Sequence, residues 1–147
     1  MKTPIIYFVT VNLNNHVGLE KTLSALSVIK NKFYNNTIEI VLIDGNSHPA
    51  DQLVIESYKT DIDVLIIEKD DGIYDAMNKG MARTSGKLVN FMNSGDMPLH
   101  KGIIQFIENV DCFDVVHVGW ARWVGKKRYG LFENTISRFW LKMPNHQ

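Results

Sequence analysis

Four short stretches hold the residues able to do chemistry: Asn12-Leu-Asn-Asn, Asp44-Gly-Asn-Ser, Glu68-Lys-Asp-Asp-Gly and Asn93-Ser-Gly-Asp. Each follows a run of apolar residues and is rich in amides, hydroxyls and carboxylates. Such groups suit a polar ligand with ribose hydroxyls and phosphates. A carboxylate repels a phosphate and meets it only through a divalent cation such as Mg2+ or Mn2+, which takes oxygen ligands. Asp96 follows a buried-type strand on a tight turn at Gly95 and is placed for such a cation; the alternative is a turn leading into a helix N-cap. Other chemistries lack their residues. The first apolar run is not followed by a glycine-rich dinucleotide fingerprint, and there is no phosphate loop ending in Gly-Lys-Ser/Thr. No Gly-x-Ser-x-Gly elbow offers a nucleophile. His16, His48, His100, His117 and His146 show no metal-ligand spacing.

These stretches must be positioned by regular elements. Apolar β-rich runs at 5–11, 38–43, 64–67, 88–92 and 115–118 predict five strands. Helices are expected after the first run, with Leu19, Leu23, Leu26, Ile29 and Phe33 on one face and Asn14 or Asn15 as cap, then at 51–58, 74–83, 102–109 and 134–141. A hairpin is expected over 120–129. Alternating strands and helices predict an α/β fold, a mostly parallel sheet covered on both faces in an α/β/α sandwich. In such sheets ligands bind beyond the carboxyl ends of the strands, near a switch in strand order. Four of the five strands end in the polar loops above, so these loops are expected to share one rim.

Composition agrees with one globular domain. The chain has 147 residues, 45% hydrophobic and 22% charged, with 16 basic residues balanced by 16 acidic ones. A balanced surface gives no reason to expect a nucleic-acid partner. The basic cluster Lys126-Lys127-Arg128 reads as a hairpin tip. Cys112 is the single cysteine, so no intramolecular disulfide forms, and a reducing, cytoplasmic compartment is expected. No run approaches the roughly 20 apolar residues of a membrane span; peripheral contact with a membrane, or with further copies of the chain, stays open.

Taken together, four segments resemble family 2 glycosyltransferases of the inverting GT-A (Rossmann-like) type. They are Ile5-Ile-Tyr-Phe-Val-Thr-Val-Asn-Leu-Asn-Asn, Ile38-Glu-Ile-Val-Leu-Ile-Asp-Gly-Asn-Ser, Glu68-Lys-Asp-Asp-Gly-Ile-Tyr-Asp-Ala-Met-Asn-Lys-Gly-Met-Ala and Gly86-Lys-Leu-Val-Asn-Phe-Met-Asn-Ser-Gly-Asp. The third is close to a signature of bacterial exopolysaccharide-building members of colanic-acid (WcaE-like) type. The resemblance implies a nucleotide-diphospho-sugar donor (a UDP- or GDP-sugar), a saccharide or lipid-linked acceptor, and a divalent cation, Mn2+ or Mg2+. It implies that Thr10 and Asn12 line the nucleobase and ribose pocket and that Asp44 helps read the base. Asp70 would stand beside the ribose or diphosphate. Asn78 and Lys79 match a helix start where the Asn bridges loops, and Asp96 matches the last acidic residue of the metal motif. Tyr74 and Asp75 either pack and cap that helix or contact sugar.

The chain also departs from the pattern. The acidic pair after the second strand is here Asp44-Gly45, the metal motif retains one carboxylate at Asp96, and Met77 stands where an Arg is common. The chain ends at Met143-Pro-Asn-His-Gln, resembling a segment that leads into an acceptor-side region. The resemblance therefore implies a chain cut short at its C-terminus, without an identifiable catalytic base. The alternative is an inactive domain that binds nucleotide or a partner.

Overall fold

The computed structural model describes residues 6–33, 37–85 and 88–109. The strand expected at 115–118, the hairpin at 120–129, the helix at 134–141, Cys112 and the basic cluster lie outside the described residues. Within them the order is β1 (Ile6–Asn12), α1 (His16–Lys30), β2 (Ile38–Asp44), α2 (Pro49–Ser57), β3 (Val64–Ile67), α3 (Ile73–Met81), β4 (Leu88–Asn93) and α4 (His100–Asn109). The strands form one sheet in the order β3-β2-β1-β4, and each neighbouring pair is parallel.

Side-chain alternation divides the core into two layers. Ile6 and Phe8 of β1 and Ile38, Ile40 and Leu42 of β2 pack with Leu19, Leu23, Leu26 and Ile29 of α1, Ile55 of α2 and Ile107 of α4. The intervening residues Tyr7, Val9, Val11, Val41 and Ile43 face the other way, against Ala76 of α3. Helices therefore cover both faces, as the alternating pattern predicted. α3 comes especially close: a Cβ on Gly80 would overlap Val9 Cγ1.

Three strands run one residue further than their apolar runs. Asn12 pairs with Asp44 in the β1–β2 ladder, and Asn93 pairs with Val11 in the β1–β4 ladder. Backbone pairing does not depend on side-chain polarity, so the first polar residue of each loop remains part of the sheet. α2 starts earlier than expected because Pro49 occupies its first turn, where a missing N–H and a fixed φ cost nothing.

The chain winds from β1 outward through β2 to β3, then returns to place β4 on the opposite side of β1. The strand order thus reverses between β1 and β4, and the carboxyl ends of these strands mark the crevice where ligands of open α/β sheets bind.

Candidate functional site

Asn12, the last residue of β1, ties three chain segments together at this rim. Its Nδ2 donates to Asp44 Oδ1 at 2.7 Å, Asp51 Oδ1 at 3.0 Å and Ser47 Oγ at 3.2 Å. An amide has two hydrogens for these three acceptors, so one is shared. Its Oδ1 accepts from Ser94 Oγ at 2.7 Å. One side chain thereby joins the exits of β1, β2 and β4 and the first turn of α2. The Asp44 carboxylate is fully engaged as well: its Oδ2 accepts from the Ser47 N–H and from Gln52 Nε2, each at 2.9 Å. Asp44 and Asp51 are almost wholly buried. The buried Asp44 is tolerable because donors surround it, and Asp51 accepts from Asn12 in the first turn of α2, where the helix N-terminus favours negative charge.

The turn after β4 is built separately. Asp96 N–H donates to the Asn93 carbonyl, and Asn93 N–H donates to Asp96 Oδ2, both at 2.9 Å. Gly95 sits at φ 106°, a conformation open to glycine at no steric cost. α1 holds this turn from below. Thr22 Oγ1 donates to the Asp96 carbonyl at 2.7 Å and accepts from Gly95 N–H at 2.9 Å. Asn15, whose Oδ1 caps α1 through Gly18 N–H, donates from Nδ2 to the Ser94 carbonyl at 2.9 Å. The Asp96 side chain is exposed. One of its oxygens is fixed by the turn, and the other has no hydrogen-bond partner among the described residues.

A third group lies on the α3 side. Lys79 Nζ contacts Asp70 Oδ1 at 2.9 Å, Glu68 Oε1 at 3.0 Å and Asp75 Oδ2 at 3.0 Å, and donates to the Lys69 carbonyl at 2.9 Å. An ammonium has three hydrogens, so Lys79 is saturated by its own chain. Its hydrogen bonds to Asp70 first, then Glu68, push its pKa well above the usual lysine range. The Asp71 N–H, and then Lys79, hold the Asp75 carboxyl below the usual carboxylate range. Three carboxylates around one ammonium leave this side of the rim acidic.

The structure thus gathers Asn12, Asp44, Asp70, Lys79 and Asp96 at or beside one edge of the sheet. Thr10 lies two residues below it, fully buried on the α1–α2 face, and its hydroxyl has no hydrogen-bond partner among the described residues. It stands beneath the rim and does not line it. Asn78 is exposed on α3, with no side-chain hydrogen bond among the described residues, and bridges no loops there. Met77 packs against the α3-side core. Tyr74 is exposed, whereas Asp75 accepts from the Asp71 N–H at the start of α3; the capping role fits Asp75, and Tyr74 does not pack there. Sequence reasoning missed Asp51, Ser47, Thr22 and Ser94 as organisers of the site. Thr22 left a signal, a hydroxyl within the apolar stripe of α1; Asp51 left none, because an acidic residue in a first helical turn is ordinary.

For a divalent cation, the residues present offer a partial fit. Asp96 supplies one hard oxygen on a rigid turn, and among the described residues no group of three His, Cys, Asp or Glu side chains could hold a metal alone. A cation here must take most of its ligands from a bound anion and water. No helix among the described residues is long and apolar enough to cross a membrane.

Comparison with known proteins places this geometry. The sequence is 31% identical over 93 residues to uncharacterized glycosyltransferases MT1564 and Rv1514c from two strains of Mycobacterium tuberculosis. The match covers 63% of this chain and 34% of each relative, so the chain spans about a third of their length. Among solved structures, the mannosyltransferase PcManGT from Pyrobaculum calidifontis, in complex with GDP-Man and Mn2+, aligns at TM-score 0.58 and 16% identity, over 70% of this chain and 31% of that one. S. aureus TarS 1-349 aligns at 0.57 and 20%, over 71% and 32%. Glucosyl-3-phosphoglycerate synthase from Mycobacterium tuberculosis, bound to Mn2+, UDP and glucosyl-3-phosphoglycerate, aligns at 0.51 and 18%, over 72% and 40%. These likenesses establish the GT-A fold. The family model described as Glycosyl transferase family 2 matches residues 8–146, a span that contains all four polar strand exits. A parallel sheet with its polar loops tied at the β1–β4 switch, and a sequence matched along nearly its whole length, together make this chain a member of glycosyl transferase family 2.

Proposed function

We propose that the chain binds a nucleotide-diphospho-sugar, a UDP- or GDP-sugar, and presents its sugar for transfer, with inversion, to a saccharide or lipid-linked acceptor in exopolysaccharide assembly of colanic-acid (WcaE-like) type. One observation carries this reading: Asn12 joins the exits of β1, β2 and β4 into a single rim, beside which the Asp70 and Asp96 carboxylates each keep one oxygen without a hydrogen-bond partner among the described residues. These carboxylates repel a bare diphosphate and accept one that arrives with a divalent cation. Asp96 is the residue that would hold Mn2+ or Mg2+, and the cation, when bound, neutralises the diphosphate. The solved neighbours support the same pairing of nucleotide and metal, since two of them hold Mn2+ with GDP-Man or with UDP.

Titration calorimetry with UDP- and GDP-sugars, with and without Mn2+, tests the proposal. Binding of at least one donor is expected only with the cation, and Asp96→Ala should weaken it by about tenfold or more, the scale of one lost charge contact. A folded chain that binds neither donor with Mn2+ present overturns the reading.

A further inference from the structure

We propose that the outer edge of β3 is a self-association surface, to which a second copy of this chain adds its own β3 in antiparallel pairing. This goes beyond donor binding and does not depend on it. Among the described residues β3 ends the sheet, with β2 on one side and no strand on the other. Proteins guard such an edge with charges, proline or a bulge, and Val64-Leu-Ile-Ile carries neither charge nor proline. Leu65 stands in register with Leu42, and Ile67 with Asp44, so both face the α1–α2 layer that Leu42 helps to build. They are 37% and 44% exposed.

The existing ladder decides which backbone groups are open. Glu68 N–H donates to the Asp44 carbonyl at 3.0 Å. By alternation Val64 and Ile66 turn their backbone groups toward β2, and Leu65 and Ile67 turn theirs outward. A two-fold axis through the sheet keeps every side chain on its own face only when a residue lies on the axis. With Leu65 on the axis, Ile67 would face Asp63, whose N–H is already given to the Ile40 carbonyl at 2.9 Å. With Ile67 on the axis, Leu65 would face Lys69, whose carbonyl already accepts from Lys79. With Ile66 on the axis, Leu65 of each copy meets Ile67 of the other, and both pairs exchange both of their N–H···O bonds.

Side chains favour the same register. It sets the exposed Leu65 against the exposed Ile67 on both sides of the axis, and it brings Lys69 of one copy opposite Asp63 of the other. Lys69 forms no salt bridge among the described residues, and Asp63 is held at the edge by Lys30 and the Ile40 N–H. Opposite charges across a strand pair are favourable. The two copies then share one continuous sheet, and because β3 meets β3 antiparallel, their polar rims lie at opposite ends.

Sedimentation equilibrium of the full chain over a concentration series, without donor or metal, tests the proposal. The wild type should pass from the mass of one chain to that of two as concentration rises. Leu65→Lys places an ammonium on the edge and removes both apolar pairs, so it should raise the dimer Kd by about tenfold or more. Register is read by oxidation in a Cys112→Ser background, which leaves no other thiol. Ile66→Cys should form a covalent dimer, because Cα atoms facing each other across the axis lie about 4.5 Å apart, whereas Val64→Cys should not. Circular dichroism checks that each variant is folded, and where Leu65→Lys fails to fold, the contrast between positions 66 and 64 decides alone. A chain that stays monomeric throughout, a dimer that Leu65→Lys leaves unchanged, or cross-linking through 64 as readily as through 66 overturns the inference.

Discussion

Thr10 and Asn12 lie two positions apart on one strand and face the same way, yet they do different work. Asn12 reaches past the last apolar layer and meets two carboxylates and two hydroxyls; Thr10 remains inside that layer, its hydroxyl without a partner among the described residues. A single pleat repeat along a strand, about 7 Å, separates a structural position from one that organises a site. The ionic group on α3 follows simpler electrostatics, and its pH dependence has a definite sign. The Asp75 carboxyl is held below its ordinary value by the Asp71 N–H and by Lys79. Its contribution to stability is therefore present above the unfolded-state value and is lost as pH falls through the lower folded-state value. Asp75→Asn should be less stable than the wild type at neutral pH and lose less stability below about pH 4. Urea denaturation over a pH series reads this directly, and parallel curves for the two proteins would rule it out. Lys79 works in the opposite sense: its raised value keeps its contribution complete through neutral and mildly alkaline pH.

α1 does more than cover the sheet. Its apolar stripe packs on β1 and β2, while Asn15 and Thr22, on its first two turns, grip the turn after β4 from beneath. The helix thus fixes the one loop that carries Asp96. Replacing Thr22 by Val keeps the shape and leaves Gly95 N–H and the Asp96 carbonyl without their partner. The expected cost is about 1–3 kcal/mol in chemical denaturation, together with weaker Mn2+-dependent donor binding, because the Asp96 turn loses its support. Thr10→Val is the matched control. It removes a hydroxyl that has no partner among the described residues, and its stability should equal or exceed that of the wild type by up to about 1 kcal/mol. Equal losses in the two variants would show that the Thr22 bonds contribute nothing beyond ordinary packing.

Across the described residues as a whole, binding and folding are linked. A ligand that binds only the folded chain adds about 2.7 kcal/mol at a hundred times its Kd, a rise in Tm on the order of 10 °C for a domain of this size. Differential scanning fluorimetry should show such a rise with donor and Mn2+ together and much smaller ones with either alone; equal rises with and without the metal argue against a cation-bridged diphosphate. Much of the architecture was legible in the sequence. Continuous apolar runs such as Ile40 to Ile43 mark strands covered on both faces, and the stripe from Leu19 to Ile29 marks their helix, because hydrophobic burial is written in local periodicity. The rim was legible for the same reason, since polar residues directly after buried strands must emerge at one edge of a parallel sheet. Which carboxylate stays available was not. Asp44 and Asp70 are both aspartates after strands, and only the packed structure shows Asp44 enclosed by Asn12, Ser47 and Gln52 while Asp70 stands against Gly45 with one oxygen open. That choice depends on a donor brought in from Asn12, 32 positions away, and distances between such residues are set by tertiary packing, which no local pattern records.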